Sequence, residues 1–112
     1  MTVHNWGTTG GKDLIRDYIR KLSANERIAG FSVLEALEEN RLDELEIKPW
    51  RGKISEIKFY KFNRIFYVIA DGEDMYLLHA CGKQKNKTET RDSELVIKRA
   101  KELGERLSKK FV

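Results

Sequence analysis

The second half of the sequence contains three stretches in which apolar residues alternate with polar ones, and this alternation constrains the fold most. The stretches cover residues 54–62, 64–70 and 74–81 and are rich in β-branched and aromatic side chains, a composition typical of strands. Asp71 and Gly72 separate the second stretch from the third, and both residue types tolerate the positive φ of a type I′ turn. The sequence therefore predicts three strands, of which the last two form an antiparallel hairpin.

Helical periodicity lies on both sides of the strands. From residue 12 to residue 23, apolar residues recur at three- and four-residue steps, which predicts a first helix. Ser23 and Glu26 form the reciprocal capping pattern that starts a second helix, and we expect that helix to end near Asn40 or Arg41. Its buried face would consist of Phe31, Val33, Leu34 and Leu37. After the strands, a last helix is predicted from a one-sided apolar stripe of Val96, Ala100, Leu103 and Leu107.

The order of these elements predicts the fold class. Residues 2–6 are expected to form a short edge strand, and Pro49 ends the helical half of the chain. A length of 112 residues with 40% hydrophobic content suits one domain over residues 1–112. We therefore predict an α+β fold with a small antiparallel sheet, an N-terminal αα-hairpin and a C-terminal helix, and with the helices on one side of the sheet. The last helix is expected either to lie across the sheet or to project towards a partner.

Composition disfavours several classes of function. The single cysteine, Cys81, cannot form an internal disulfide, and no Cys/His spacing of a structural zinc site occurs. No carboxylate pair indicates acid–base catalysis or two-metal hydrolysis, and Gly7, Gly10 and Gly11 do not form a phosphate loop. The sequence shows neither a signal peptide nor an apolar run long enough for a membrane span. We therefore expect a cytoplasmic protein with no membrane partner, no metal site and no cofactor.

Basic residues are unevenly distributed along the chain. The formal net charge is only +4, from 22 basic and 18 acidic residues, so the distribution is more informative than the sum. One basic group lies around the first predicted strand: Lys48, Arg51, Lys53, Lys58, Lys61 and Arg64. A second follows the third strand: Lys83, Lys85, Lys87 and Arg91. Aromatic residues are interleaved with the first group: Trp50, Phe59, Tyr60, Phe62 and Tyr67. This combination is expected of an RNA-binding face, although composition alone favours solvated charges around core aromatics.

His79 and Cys81 lie on the third predicted strand, on the same side by alternation. A histidine in this position either is a structural residue or titrates near neutrality and acts as an acid or base, and both interpretations remain open. Cys81 is predicted to be a small, buried, apolar residue.

Three segments of the second half carry recognisable motifs. Residues 56–58 are Glu-Ile-Lys, residues 63–67 are Asn-Arg-Ile-Phe-Tyr, and residues 77–88 are Leu-Leu-His-Ala-Cys-Gly-Lys-Gln-Lys-Asn-Lys-Thr. In this order they resemble motifs of the RelE/HigB toxins of the RelE/ParE superfamily, in particular its phage-derived Gp49-like branch. That branch usually has Gly-Phe at residues 80–81, an uninterrupted lysine pair around Gln84 and a proline in place of Glu89.

The resemblance implies a toxin of a type II toxin–antitoxin system that cuts mRNA on the ribosome without a metal ion. It also implies a cognate antitoxin with a helix-turn-helix DNA-binding domain, so that operator DNA is contacted only through the toxin–antitoxin complex. In such a reaction, an RNA 2′-hydroxyl attacks the adjacent phosphate. This step needs a proton acceptor, positive charge near the transition state and a proton for the leaving oxygen.

Site residues follow from the resemblance as a hypothesis. Arg64 is assigned to the transition-state phosphate, with Lys58 and Lys83 as further electrostatic stabilisers. His79 and Tyr60 are the candidates for proton transfer. The residues expected to bind RNA are Lys53, Lys61, Lys85, Lys87 and Arg91.

Two other functions remain open. A ParE-type toxin shares the fold but poisons DNA gyrase by binding, without nuclease chemistry. The basic hairpin and His79 favour RNA over gyrase. A decayed toxin or a non-catalytic RNA-binding module is the third possibility, which the departures at Cys81, Gln84 and Glu89 support.

Overall fold

The computed structural model describes residues 1–82 and 90–112 of the chain. Within these ranges the elements, in chain order, are β1 (Thr2–Asn5), α1 (Leu14–Arg20), α2 (Ala24–Glu38), a 3-10 turn (Leu42–Glu44), β2 (Glu46–Arg51), β3 (Ile54–Phe59), β4 (Asn63–Ile69), β5 (Asp74–Gly82) and α3 (Thr90–Leu107). The strands form one sheet in the order β1-β5-β4-β3-β2. Strand β1 is parallel to β5, and the other neighbouring strands are antiparallel.

The predicted α+β class is confirmed, with its three helices and its three central strands, but the sheet differs from the prediction. The sheet is mixed rather than purely antiparallel, because β1 runs parallel to β5. The sequence pattern does not predict β2, because Pro49 lies within it. As an edge strand, β2 accommodates a residue that has no N–H to donate.

Helices cover both faces of the sheet, which corrects the prediction of helices on one side only. Helices α1 and α2 pack on one face, where Ile19, Val33 and Leu37 meet the buried side chains Ile57, Ile65 and Leu77. Helix α3 packs on the other face, where Val96, Ala100 and Leu103 meet Ile54, Phe66 and Val68. The physical reason lies in β4, whose first six residues are all buried and therefore need cover on both sides.

The two hairpin connections differ from each other. Between β4 and β5, Gly72 has a φ of 91° but Asp71 has no positive φ, so the predicted type I′ turn is wrong although the antiparallel pairing is confirmed. Here the Asp71 carboxylate accepts hydrogen bonds from the backbone N–H groups of Glu73 and Asp74, each at 3.1 Å. Between β3 and β4, residues 60–62 form a loop that contains two left-handed residues, Tyr60 and Lys61.

The C-terminal segment folds back onto the sheet. Ser108 has a φ of 54°, and the N–H of Lys109 donates to the carbonyl of Gly104 at 2.9 Å. Phe111 is thereby inserted into the core on the α3 face. The N–H of Lys53, in the turn between β2 and β3, donates to the carbonyl of Phe111 at 2.7 Å. The segment therefore closes one end of the α3 face.

Gly52 offers a test of this closure. A Cβ at Gly52 would lie 2.4 Å from the carbonyl oxygen of Phe111, whereas a Cβ at Gly72 would meet nothing within 4 Å, and both residues have positive φ. We expect Gly52→Ala to lower the free energy of unfolding by about 1–3 kcal/mol more than Gly72→Ala, because only the first adds a backbone clash. Urea denaturation of both variants measures the difference. Equal losses would show that the C-terminal segment moves away from residue 52 with no further loss of stability.

Candidate active site

The residues predicted for the site are divided between the two ends of the sheet. The loop of residues 60–62 and the end of β5 at Gly82 define what we call the loop end of the sheet. Lys58, Lys61 and Arg64 lie near this end. Lys53 lies at the opposite end, because the six residues of β3, about 20 Å of strand, separate it from the loop. The basic group around β3 is therefore not one patch. Lys83, Lys85 and Lys87 lie outside the described residues.

Strand pairing places three candidate residues on one face of the sheet. Lys58 is directly opposite Arg64 on β4, and Arg64 is directly opposite Cys81 on β5. His79 is opposite Phe66 and lies two residues before Cys81, so it shares the face of Cys81 and Arg64. This is the face that α3 covers.

The guanidinium of Arg64 is buried beneath the loop of residues 60–62. Arg64 is only 1% exposed. Its Nη1 donates to the carbonyl oxygens of Lys61 at 3.0 Å and Asn63 at 3.1 Å. Its Nε lies 3.9 Å from a carboxylate oxygen of Glu56, which is fully buried and also lies 3.2 Å from Nζ of Lys48. Arg64 thus shapes the loop and balances a buried carboxylate.

The other candidates near the loop are accessible. Lys58 is partly exposed, with its Nζ 3.7 Å from a carboxylate oxygen of Glu46. Tyr60 and Lys61 are exposed on the loop itself. Arg91 is exposed in the first turn of α3. Of the residues predicted to bind RNA, Lys53, Lys61 and Arg91 lie in the described ranges, and all three are exposed.

His79 is held between two residues of α3. Its Nε2 lies 2.7 Å from Oδ1 of Asp92, and its Nδ1 lies 3.4 Å from Nη1 of Arg99. Arg99 is itself fixed by a 2.7 Å hydrogen bond to the carbonyl of Leu78 and by the ring of Trp6. Burial lowers the pKa of His79, and the neighbouring Asp92 opposes this shift. The geometry assigns a neutral imidazole that donates from Nε2 to Asp92 and keeps a lone pair on Nδ1.

The sequence does not predict Asp92 and Arg99 as partners of His79. Both lie on α3, seven residues apart and so on the same face of the helix. That spacing was the signal available in the sequence, but only the packing of α3 on the sheet shows which strand residue they reach.

His79 and Arg99 line a cleft of about 460 Å³ between α1 and the sheet. Lys12 and Lys21, on either side of α1, line the same cleft, as does Tyr18. We call this the basic cleft. Among the described residues, β1 pairs only with residues 74–77 of β5. The last part of β5 therefore has no strand beside it on that edge of the sheet, and His79 and Ala80 border the cleft there. The basic cleft thus brings three cationic side chains and His79 together with one carboxylate, that of Asp17, which lies 3.3 Å from Nζ of Lys12.

Tyr18 connects the basic cleft with the loop end. Its hydroxyl donates to Oδ1 of Asn63 at 2.6 Å. Burial raises the pKa of Tyr18 strongly, and the nearby Cys81, Glu26 and Asp92 raise it further. The hydroxyl therefore remains protonated, and Tyr18 can donate a hydrogen bond but cannot act as a base near neutrality.

His79, Cys81 and Asp92 also offer three potential metal ligands, whose atoms all lie within 4.8 Å of one another. The surroundings oppose a cation at this point. Nε2 of His79 is already bonded to Asp92, and the guanidinium of Arg99 places a positive charge 3.4 Å from Nδ1. The arrangement fits a hydrogen-bonded pair beside a thiol better than a metal centre.

The fold and the cleft define a small α+β domain with a His–Asp pair in a basic cleft. A family model described as "Phage derived protein Gp49-like (DUF891)" matches residues 17–101, about three quarters of the chain. The chain belongs to this Gp49-like family, which is a family of RelE-like toxins. The match covers the second half of α1, all of α2 and β2–β5, and most of α3. No curated protein matches the chain. In the described residues, no helix has the length and apolar character needed to cross a bilayer.

The lowered pKa of His79 predicts a pH-dependent stability. The folded protein binds the proton less readily than the unfolded chain, so the contribution of His79 to stability is present above the unfolded pKa of about 6.5 and is lost as pH falls through the lower, folded value. We expect the wild type to lose more free energy of unfolding than His79→Gln between about pH 7.5 and about pH 5.5. Denaturant titrations at both pH values measure this, and parallel losses would contradict it.

Proposed function

We propose that the protein is the toxin of a type II toxin–antitoxin system and that it cuts mRNA on the ribosome without a metal ion. Membership of the Gp49-like family supports the toxin part of the proposal. The observation that carries the catalytic part is the position of His79, held by Asp92 and Arg99 at the wall of the basic cleft.

In the proposed reaction, Nδ1 of His79 accepts the proton of an RNA 2′-hydroxyl. The 2′-oxygen attacks the adjacent phosphorus, the bond to the 5′-oxygen breaks, and the products carry a 2′,3′-cyclic phosphate and a 5′-hydroxyl. Asp92 holds the proton on Nε2, so that the lone pair lies on Nδ1, and it stabilises the imidazolium that forms. In the reaction the 2′-hydroxyl replaces Nη1 of Arg99, 3.4 Å away, as the hydrogen-bond partner of Nδ1. The leaving 5′-oxygen takes a proton, for which the ammonium groups of Lys12 and Lys21 are the available donors in the cleft.

Charge stabilisation in this proposal comes from Arg99. Its Nη1 is 3.4 Å from the proposed base, so it lies beside the place where the extra negative charge develops. Arg64, which the sequence assigns to this role, is buried and bonded to loop carbonyls, and we propose that it positions the loop instead. Lys58, Lys61 and Arg91 are proposed to bind RNA, together with Lys83, Lys85 and Lys87.

The proposal includes two partners. The ribosome presents the mRNA, and a cognate antitoxin with a helix-turn-helix domain inhibits the toxin and carries the complex to operator DNA. Basic residues at the loop end and in the basic cleft suit contact with RNA phosphates.

The test uses purified protein with translating ribosomes and a defined mRNA. We expect cleavage of the ribosome-bound mRNA, with 2′,3′-cyclic phosphate at the new 3′ ends, and little cleavage of the same mRNA without ribosomes. In parallel, the protein is added to a gyrase supercoiling assay. Inhibition of supercoiling without mRNA cleavage would contradict the proposal and favour a ParE-type toxin, and inactivity in both assays would favour a decayed toxin.

A further inference from the structure

Two of the six aromatic residues between positions 50 and 67 are not used by the core. Phe59 and Tyr67 are buried, and Trp50 packs against Phe66 with ring centroids 4.8 Å apart. Tyr60 and Phe62, in contrast, are 43% and 52% exposed. Both belong to the three-residue loop between β3 and β4, which we call the aromatic loop (residues 60–62). Two large exposed rings on so short a loop indicate a binding surface rather than a packing requirement.

The backbone of the aromatic loop is held in an unfavourable conformation. Tyr60 and Lys61 have φ values of 39° and 68°, a region in which bulky residues cost about 1–3 kcal/mol each. The surrounding side chains compensate for this cost. Arg64 donates to the carbonyl of Lys61 at 3.0 Å, and Nδ2 of Asn63 donates to the carbonyl of Tyr60 at 3.2 Å.

Arg64 supports the aromatic loop from the face of the sheet that α3 covers, and α1 and α2 support it from the other face through Asn63. Asn63 accepts a hydrogen bond from Tyr18 of α1 and donates one to Glu26 of α2 at 3.1 Å. The hydroxyl of Ser23 donates to the other oxygen of Glu26 at 2.7 Å. Hydrogen bonds from Ser23 and Asn63 lower the pKa of Glu26, so this carboxylate is charged at neutral pH and keeps accepting them. The two rings are therefore presented on a fixed loop, which reduces the entropy lost on binding.

The charge pattern of the loop selects the kind of ligand. Lys61 stands between the two rings and is exposed, and the partly exposed Lys58 lies on the adjoining end of β3. Aromatic rings with interspersed lysines suit a single-stranded nucleic acid, whose bases stack on the rings while its phosphates meet the ammonium groups. We infer that the aromatic loop is a base-stacking site for unpaired RNA. This inference rests on the proposed function and gives Tyr60 a stacking role rather than proton transfer.

The inference is tested with RNA affinity rather than cleavage. The probe is a fluorescein-labelled 12-nucleotide oligouridine, measured by anisotropy at fixed low salt, with a duplex of the same length as a second probe. We expect Tyr60→Ala and Phe62→Ala each to raise the Kd for the single strand by about tenfold, with a smaller effect on the duplex. Tyr60→Phe and Phe62→Trp retain the rings and should stay within about twofold of the wild type.

Ile28→Ala is the matched control. Ile28 is 66% exposed on α2, so its truncation also removes exposed apolar surface but no ring, and we expect the Kd to be unchanged. Thermal unfolding of each variant shows that the fold is retained. Binding to purified ribosomes, measured with the same variants, distinguishes ribosomal RNA from free mRNA as the source of the unpaired bases.

Three results would overturn the inference. Unchanged affinity in Tyr60→Ala and Phe62→Ala would remove the stacking site. Loss of affinity in Tyr60→Phe would assign the effect to the hydroxyl. Loss of binding to the antitoxin alone, with RNA affinity intact, would assign the loop to a protein partner. A different result would contradict the proposed function. If the protein cuts no mRNA but binds RNA through both rings, the nuclease proposal is wrong and the stacking site stands.

Discussion

His79→Ala is expected to lower the rate of ribosome-dependent mRNA cleavage by about 10²–10⁴-fold, the contribution of a positioned general base. Among the described residues that line the basic cleft, His79 is the only histidine, and its Nδ1 lies 3.4 Å from Nη1 of Arg99. The carboxylate of Asp17 also lines the cleft but is paired with Lys12 and Arg20. Cleavage is measured on a defined mRNA with translating ribosomes, under conditions in which the first cut of the wild type is resolved in time.

The chain contains a matched control for this prediction. His4, the other of the two histidines, also pairs with an aspartate, at 2.8 Å from Oδ1 of Asp74, but it lies on β1 and does not line the basic cleft. His4→Ala should retain wild-type cleavage within a few fold. Equal losses in both variants would indicate a shared effect on folding, and full activity in His79→Ala would remove His79 from the reaction. Asp92→Asn should also reduce the rate of cleavage, because it disturbs the tautomer that has its proton on Nε2 and its lone pair on Nδ1.

Arg64→Ala is expected to lower the free energy of unfolding by about 3–5 kcal/mol, because it leaves the buried Glu56 without one of its cations and the loop carbonyls without a donor. Urea denaturation at neutral pH measures the change. The matched control is Arg16→Ala, whose partly exposed side chain pairs with Asp13 and Glu38 at 3.6 and 3.5 Å. Such a surface pair contributes only about 0–1 kcal/mol.

A double variant separates the buried charge from the lost side-chain volume. Replacing Arg64 by methionine together with Glu56→Gln removes both charges and should recover part of the stability lost in Arg64→Met alone. Arg64→Ala costing no more than Arg16→Ala would contradict a buried ion pair at this point. The prediction also bears on activity, because a loss of cleavage in Arg64→Ala is evidence for catalysis only if the variant remains folded.

Local patterns in the sequence predict most of the elements but not their arrangement. The helices and the three central strands follow from periodicity, which neighbouring residues determine. Strand β2 is missed because Pro49 resembles a break. The cover on both faces is missed because β4 is interpreted as an alternating strand, although its apolar run of residues 65–69 has no polar side. The Ser23 and Glu26 pattern does mark the start of α2, but the serine hydroxyl donates to the glutamate and caps no backbone N–H.

The sequence predicts the candidate site less well than it predicts the fold. His79 is found by residue type, whereas its partners lie 13 and 20 residues away on a different element. Lys53 and Lys61 look like neighbours in a basic run, yet a strand separates them. Arg64 looks like a phosphate ligand because of its motif, and only the register of β3 and β4 shows that it faces a buried glutamate. Contacts between distant residues decide each of these cases.

The docked C-terminal segment has a practical consequence for how the protein is labelled. Val112 lies against the turn at Gly52, and Phe111 is hydrogen-bonded to Lys53, so a fluorophore or an affinity tag attached after Val112 emerges beside that turn. The aromatic loop is at the far end of β3. A reporter attached after Val112 would therefore stand at the opposite end of β3 from the aromatic loop. Val112 is for this reason the preferred point for surface immobilisation.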